Sequence, residues 1–422
     1  MAARLPRGAR GSMRVLFCSR RFWPAISGIS VYAENLLREL VGAGHDVTMV
    51  SQYRADAAGT RVYGGGPPPD VAGVTVIGRR SLGEEAFGEA GGADFERDVE
   101  DMVATILAEH HRQPFDILHA QYGYPNGWAV LLAAREAGVP VVVSIQGGDG
   151  HWVGSCCETH RQAMLRVLDH ANALLIGCDS FAMEVVERLG VARERFTVVP
   201  GAVDTTQFHP PADPREGSPL RLLYHGRVDR RKGVLDFLEA LALLRGQDVP
   251  FAATVSGIGP DLDAARDLAA QLALDVRFTG YADYHAAPAL YREADLFVSP
   301  TYAEGFSNTI LEAMASGLPT VSCRAVGVVD CLRDGENGLL VEPGDVPALA
   351  AALKRVIGDP ALRRRLGATA LEECRRTYSW AAVGRQIMET YAALAGTAPD
   401  TRFDPVLPRD PSCRFRAAPH LL

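Results

Sequence analysis

Residues 299–319 read SPTYAEGFSNTILEAMASGLP, a pattern of strand end, loop, helix and stop. Leu296, Phe297 and Val298 form a short apolar strand that ends at Ser299 and Pro300. Thr301 to Phe306 make a loop. Ser307 suits a helix N-cap, where its hydroxyl would accept from the first unpaired amides. Ile310, Leu311 and Met314 then recur at helical spacing, and Gly317 and Pro319 close the helix. Glu304 therefore falls in the loop before the helix, and Glu312 beyond the helix's first turn.

This arrangement suits a nucleotide sugar. A helix N-terminus offers N–H groups and a partial positive charge to a diphosphate. Glu304 can accept from sugar hydroxyls, and Glu312 from both hydroxyls of a ribose. The Glu-x7-Glu spacing alone recurs by chance in a chain of this length; the specificity lies in the surrounding string EGFSNTILEAMASGLP. That string resembles the donor-site signature of the family 4 retaining glycosyltransferases, and the resemblance runs from about Met13 to about Trp380. It implies an α/β protein of the GT-B fold, with two Rossmann-like parallel-sheet domains facing a central cleft.

Length and composition fit that expectation. A chain of 422 residues exceeds one typical core and suits two domains. The net charge of −8 argues against a nucleic-acid binder held by phosphate contacts. No run reaches the apolar length of a membrane span. Eight cysteines without regular spacing do not read as a disulfide scaffold, so reduced thiols and a cytoplasmic setting are expected. Residues 1–12 are basic and lack the apolar core of a secretory signal; they read either as a disordered tail or as sequence ahead of a true start at Met13. Their three arginines leave room for peripheral membrane contact.

In the first half, a strand at residues 14–18 leads through Phe22, Trp23 and Pro24 to a helix over residues 30–41. Members of the resembled family carry paired glycines in this loop, close to the donor phosphates; here the pair is Ser27-Gly28, leaving Gly28 to take the tight turn. An apolar strand at residues 139–145 ends at Gln146-Gly147-Gly148-Asp149-Gly150-His151. The family places a histidine at the position of Gln146, where it touches the donor sugar. Gln can hydrogen-bond a hydroxyl but cannot titrate. A retaining transferase whose leaving phosphate takes the acceptor's proton needs no titrating group there, and Asp149 or His151 would orient the acceptor. Farther on, His151, Cys156, Cys157 and His160 invite a zinc reading. Adjacent cysteines rarely share one tetrahedral ion, and the spacing matches no common zinc pattern. A helix start lining the acceptor pocket is expected instead.

In the second half, a strand at residues 220–224 is followed by Gly226, Arg227 and, after a short loop, Lys232 and a helix from Val234. A diphosphate there would meet a planar bidentate donor and a point charge. The resemblance assigns Arg227 and Lys232 to that diphosphate. Arg230 and Arg231 could equally face water. Gly280-Tyr281 matches the place where the family's backbone contacts the base, and Asp330 stands where many relatives have Glu.

Composition places a proline-rich linker at 211–219 and a loosely held tail at 396–422; the resemblance implies an N-terminal, acceptor-binding domain at 13–210, a C-terminal, nucleotide-sugar-binding domain at 220–378 and a helix at 379–395 returning to the first domain. The expected activity is retaining transfer of a sugar from a nucleoside diphosphate to a saccharide, lipid-linked or small-molecule acceptor. Arg227, Lys232 and Glu304 would be catalytic. Gly28, Gly226, Gly305, Phe306, Ser307, Asn308 and Glu312 would bind donor, and Gln146, Asp149 and His151 would lie on the acceptor side. No Asp-x-Asp metal motif sits at a convincing strand end, so neither metal nor other cofactor is expected. Two other readings use the same residues: a phosphorylase or epimerase of the same fold, and a nucleotide-sugar-binding protein without turnover. Gln146 leans toward the last, while Arg227, Lys232, Glu304 and Glu312 oppose it.

Overall fold

Short runs rich in apolar residues become the strands of two parallel sheets. The computed structural model describes residues 11–20, 28–53, 70–85, 92–146, 154–213, 217–282 and 285–417. The chain divides into two units: unit 1 is Met1–Ile176, Met183–Val198 and Gly384–Leu422, and unit 2 is Gly177–Ala182 and Val199–Val383.

Unit 1 holds strands β1 (Arg14–Ser19), β2 (Asp46–Tyr53), β3 (Val74–Arg80), β4 (Ile117–Gln121), β5 (Val141–Ile145), β6 (Ala173–Ile176) and β7 (Phe196–Val198). They pair in parallel in the order β3-β2-β1-β4-β5-β6-β7. All six residues of β1, RVLFCS, are buried, as expected where both faces of a parallel sheet are covered. Helices supply the crossovers. In Phe95–Arg112, Phe95, Val99, Met102 and Ile106 form the buried stripe, and Asp94 caps the start by accepting from Arg97 N.

Unit 2 holds β8 (Leu220–His225), β9 (Phe251–Ser256), β10 (Val276–Gly280), β11 (Leu296–Ser299), β12 (Thr320–Cys323) and β13 (Leu339–Val341). Their order is β10-β9-β8-β11-β12-β13, again all parallel. In each sheet the strand order reverses once, between β1 and β4 and between β8 and β11. Crossovers leave such a point in opposite directions, which opens a crevice at the carboxyl ends of the strands.

Three features differ from the composition-based reading. The chain enters unit 2 at Val199, ahead of the proline-rich stretch at 211–219. The physical reason is packing: Val203 and Phe208 are buried in the core of unit 2, and Val203 N donates to Tyr378 O. The described part of the tail, residues 397–417, is not loosely held. Cys413, Phe415 and Arg416 are buried, and Arg416 pairs with Glu96 of unit 1 at 2.9 Å. Its prolines mark an irregular path, which is compatible with burial. Finally, β13 is a three-residue strand too short to show a period. Among the described residues no helix is long and apolar enough to cross a membrane.

Candidate functional site

β8 and β11 are hydrogen-bonded neighbours, with Leu222 beside Leu296. Their carboxyl ends flank the switch point of unit 2. Gly226 and Arg227 follow β8, and the loop carrying Glu304 follows β11. A short 3-10 turn, Arg230–Lys232, then carries Lys232 to the same loop. Lys232 Nζ lies 2.8 Å from Glu304 Oε2 and donates to Ala303 O at 3.0 Å.

Two glycines set this approach. Gly233 has φ +72°, and a Cβ there would come within 2.0 Å of Pro300 O. Gly327 has φ +77°, and its Cβ would meet Glu304 O at 2.4 Å. Only a residue without a side chain allows the Lys232 turn and the Val326–Gly327 backbone to close on the Glu304 loop from two sides. Glu304 N also donates to Val326 O at 2.9 Å. Gly327 N donates to Ser180 Oγ at 2.9 Å, and Ser180 N and Oγ both donate to the Asp330 carboxylate. The Gly177–Ala182 segment thus buttresses the loop, a role no local motif announces.

The arginines divide. Arg230 holds Asp261 with Nε and Nη2, and Arg231 holds Asp229 in the same way. The hydrogen bond from Arg231 pulls the Asp229 carboxyl down to about 2. These two therefore secure their own loop instead of simply facing water. Arg227 is held more loosely: Nε is 3.5 Å from Asp229 Oδ2, and the side chain is 56% exposed. It can turn toward an anion at modest cost.

The helix after Glu304 is Asn308–Ala315, with Ser307 at the N-cap. The Ser307 hydroxyl does not cap it, contrary to expectation; it lies 3.3 Å from the Thr309 hydroxyl. The first-turn amides are consequently left without a side-chain cap, at the end where an anion is favoured. At the far end Leu318 N donates to Ala313 O and Gly317 N to Met314 O, both at 3.0 Å, the paired bonds of a Schellman stop. Gly305 O accepts from Cys178 Sγ at 3.3 Å, and the Phe306 ring packs against Tyr378.

Glu312 is 8% exposed, and Tyr291 OH donates to its Oε2 at 2.7 Å. Burial pushes its carboxyl up to about 7, against the opposing pull of that hydrogen bond. Tyr291 was not singled out from sequence, since nothing in its spacing ties the helix Ala287–Glu293 to Glu312.

In unit 1, Gly28 begins the helix Gly28–Gly42, and Gln146 follows β5. Gln121, at the end of β4, donates from Nε2 to Ile29 O at 3.1 Å and to Gln146 Oε1 at 3.0 Å. The helix start and Gln146 thereby share one hydrogen-bonded group at the carboxyl end of the sheet. Asp149 and His151 lie outside the described residues, as do Phe22, Trp23, Pro24 and Ser27. His119 in β4 is fully buried between Tyr391 OH and Ser144 Oγ, and burial pushes its imidazole down to about 3. It is a neutral structural group.

Two family descriptions match the chain: Glycosyl transferase 4-like domain over residues 27–202, and Glycosyl transferases group 1 over residues 219–359. The D-inositol 3-phosphate glycosyltransferase of Corynebacterium kroppenstedtii is 30% identical over 405 residues, spanning 89% of this chain and 87% of that protein. The chain belongs to the family 4 glycosyltransferases. The glycogen synthase of Mycobacterium tuberculosis is 28% identical over 412 residues, spanning 90% of this glycosyltransferase and 95% of that protein. HepE from Anabaena, solved in complex with UDP-glucose, superposes with a TM-score of 0.70 at 18% identity, covering 90% of this chain and all of that one. The likeness to HepE and the two parallel sheets establish the GT-B fold of this glycosyltransferase. Arg227, Lys232, Glu304 and Glu312 all fall inside the group 1 match, and Gly28 and Gln146 inside the 4-like match.

Proposed function

We propose that this glycosyltransferase is a retaining enzyme that moves a hexose or modified sugar from a nucleoside diphosphate to a saccharide, lipid-linked or small-molecule acceptor. The observation that carries this is the Lys232–Glu304 pair at 2.8 Å, set beside the loosely held Arg227 at the switch point of unit 2. A diphosphate placed there meets two cations and the uncapped start of the helix Asn308–Ala315. As the bond from sugar to phosphate breaks, negative charge grows on the leaving oxygen, and Arg227 and Lys232 stabilise it. They supply the compensation that a divalent ion would give, so the reading is metal-independent. Glu304, held by Lys232 and gripped at its backbone, orients the sugar hydroxyls. Glu312 takes the ribose hydroxyls, and the Gly305 and Phe306 amides add donors.

The leaving phosphate oxygen accepts the proton of the incoming acceptor hydroxyl, so Gln146 need only position. Asp149 and His151 follow it in sequence as candidates for acceptor orientation. The eight free cysteines fit a reducing, cytoplasmic setting. HepE binds UDP-glucose, which makes that donor the first to try.

The test is a thermal-shift panel of UDP-, GDP- and ADP-sugars, followed by the anomeric configuration of the product by NMR. One donor is expected to raise the melting temperature by mass action, the rise is lost in Arg227→Ala, and the product keeps the donor's configuration. An inverted product overturns the retaining mechanism. Donor binding that survives Arg227→Ala and Glu304→Ala unchanged overturns the site.

A further inference from the structure

Cys156, Cys157 and His160 are joined in space by a residue more than 250 positions away. Cys413 comes from the C-terminal tail, and the four ligand atoms all lie within 4.8 Å of one another. Cys156 Sγ is 4.0 Å from Cys157 Sγ and 3.0 Å from His160 Nδ1, and Cys413 Sγ is 3.5 Å from the same nitrogen. A tetrahedral zinc with Zn–S of about 2.3 Å and Zn–N of about 2.0 Å places its ligands about 3.8 Å (S to S) and about 3.5 Å (S to N) apart. The observed separations lie within about 0.5 Å of those values.

We infer that Cys156, Cys157, His160 and Cys413 form a structural zinc site that fastens the C-terminal tail to unit 1. Three soft sulfurs and one imidazole in tetrahedral array select Zn2+ over hard cations. The count of four ligands leaves no open position, which marks the site as structural. Spacing alone offered His151, Cys156, Cys157 and His160 in no common zinc pattern; Cys413 joins three of these only through tertiary structure.

The surroundings fit thiolate ligands. Cys157 is the N-cap of the helix Glu158–His170, and its sulfur accepts from His160 N at 3.5 Å. That amide N–H is a donor that a metal-bound thiolate at this position would keep. His160 is fully buried, and its ring packs among Tyr124, Phe95 and Phe415. Nδ1 faces the sulfurs. Nε2 is buried without a hydrogen-bond partner among the described residues; a metal on the Nδ1 lone pair would leave the ring proton on Nε2, against these aromatic faces. The tail is already aligned: Thr159 Oγ1 donates to Pro408 O at 2.6 Å, Asp410 N to Thr159 Oγ1 at 2.8 Å, and Glu158 N to Asp410 Oδ2 at 3.1 Å. Binding exchanges the thiol protons for the ion and leaves every sulfur's oxidation state unchanged.

The test begins with the metal content of the full-length protein purified under reducing conditions. About one zinc per chain is expected, falling to near zero in Cys413→Ser. Replacing zinc with Co2+ should give the strong visible bands of tetrahedral cobalt and the near-ultraviolet thiolate charge-transfer band, the latter weakened in Cys156→Ser. If Cys413→Ser does not fold, thiol accessibility in the unaltered protein decides: three cysteines should become reactive on chelation and be protected again by added Zn2+. Zinc-free protein that gains no cobalt spectrum overturns the site. So does a mass two hydrogens short with Cys413 in a disulfide, or full zinc retention in Cys413→Ser.

Discussion

Glu312 is a buried carboxyl poised near neutrality, and its protonation couples to stability and, in the ribose role proposed for it, to donor binding. Its folded value of about 7 lies above the ordinary 4.5. The native state therefore holds a proton that the unfolded chain has already lost between those two values. The stability from this group is full below about pH 4.5 and is lost as pH rises through about 7. Glu312→Gln keeps an acceptor for Tyr291 and removes the titration. It is expected to stabilise the ligand-free protein at pH 8 by on the order of 2 kcal/mol and to leave it unchanged at pH 4, read by urea unfolding at both values. Ribose hydroxyls donate to the ionised form, so donor binding should expel a proton and tighten as pH rises through about 7. Calorimetry in buffers of different ionisation enthalpy reads that proton directly; an equal heat in all of them would dismiss the coupling. At the same scale, Arg227→Ala should lower kcat/KM by about 10²–10³, and Arg227→Lys should recover only part, since a point charge does not reproduce a planar fork.

At the scale of elements, the Glu304 loop keeps its geometry because two glycine backbones press on it. Gly327→Ala adds a methyl 2.4 Å from Glu304 O on a left-handed residue. The expected cost is about 1–3 kcal/mol of stability and, because a displacement near 1 Å misaligns the donor sugar, about a 10²-fold loss of kcat. A variant that unfolds more easily yet turns over at the normal rate would separate the glycine from the site. This scale also shows what sequence can and cannot disclose. The string from Glu304 to Pro319 was legible because its loop, helix and stop are local, and the strand RVLFCS was legible because its centre, residues 15–18, is a continuous apolar run buried on both faces. Ser307 occupied the expected cap position, yet its hydroxyl turned to Thr309, a choice between two nearby partners that spacing does not settle. Tyr291 beside Glu312, and Ser180 beside Asp330, are pairs made by tertiary packing, 21 and 150 positions apart, and leave no periodic trace.

For the whole molecule, composition misplaced the boundary because prolines report irregular backbone, whereas Val203 and Phe208 report which core the chain has joined. The tail was misjudged for the same reason. Removing residues 398–422 takes away buried Cys413, Phe415 and Arg416. Scanning calorimetry should then show the transition of unit 1 falling by several degrees while that of unit 2 holds. Coincident loss of both transitions would mean that the two units unfold as one.

The segment Gly384–Leu422 belongs to unit 1 and is made after all of unit 2. On the ribosome, every residue of unit 2 has been synthesised once Val383 is added, while unit 1 still lacks its closing piece. The usual order, in which the domain translated first is also the first to mature, is thereby reversed. A nascent chain halted near residue 383 should carry a protease-resistant second half and a susceptible first half. The amino-terminal half of this enzyme would need shelter from aggregation until residues 384–422 have been made.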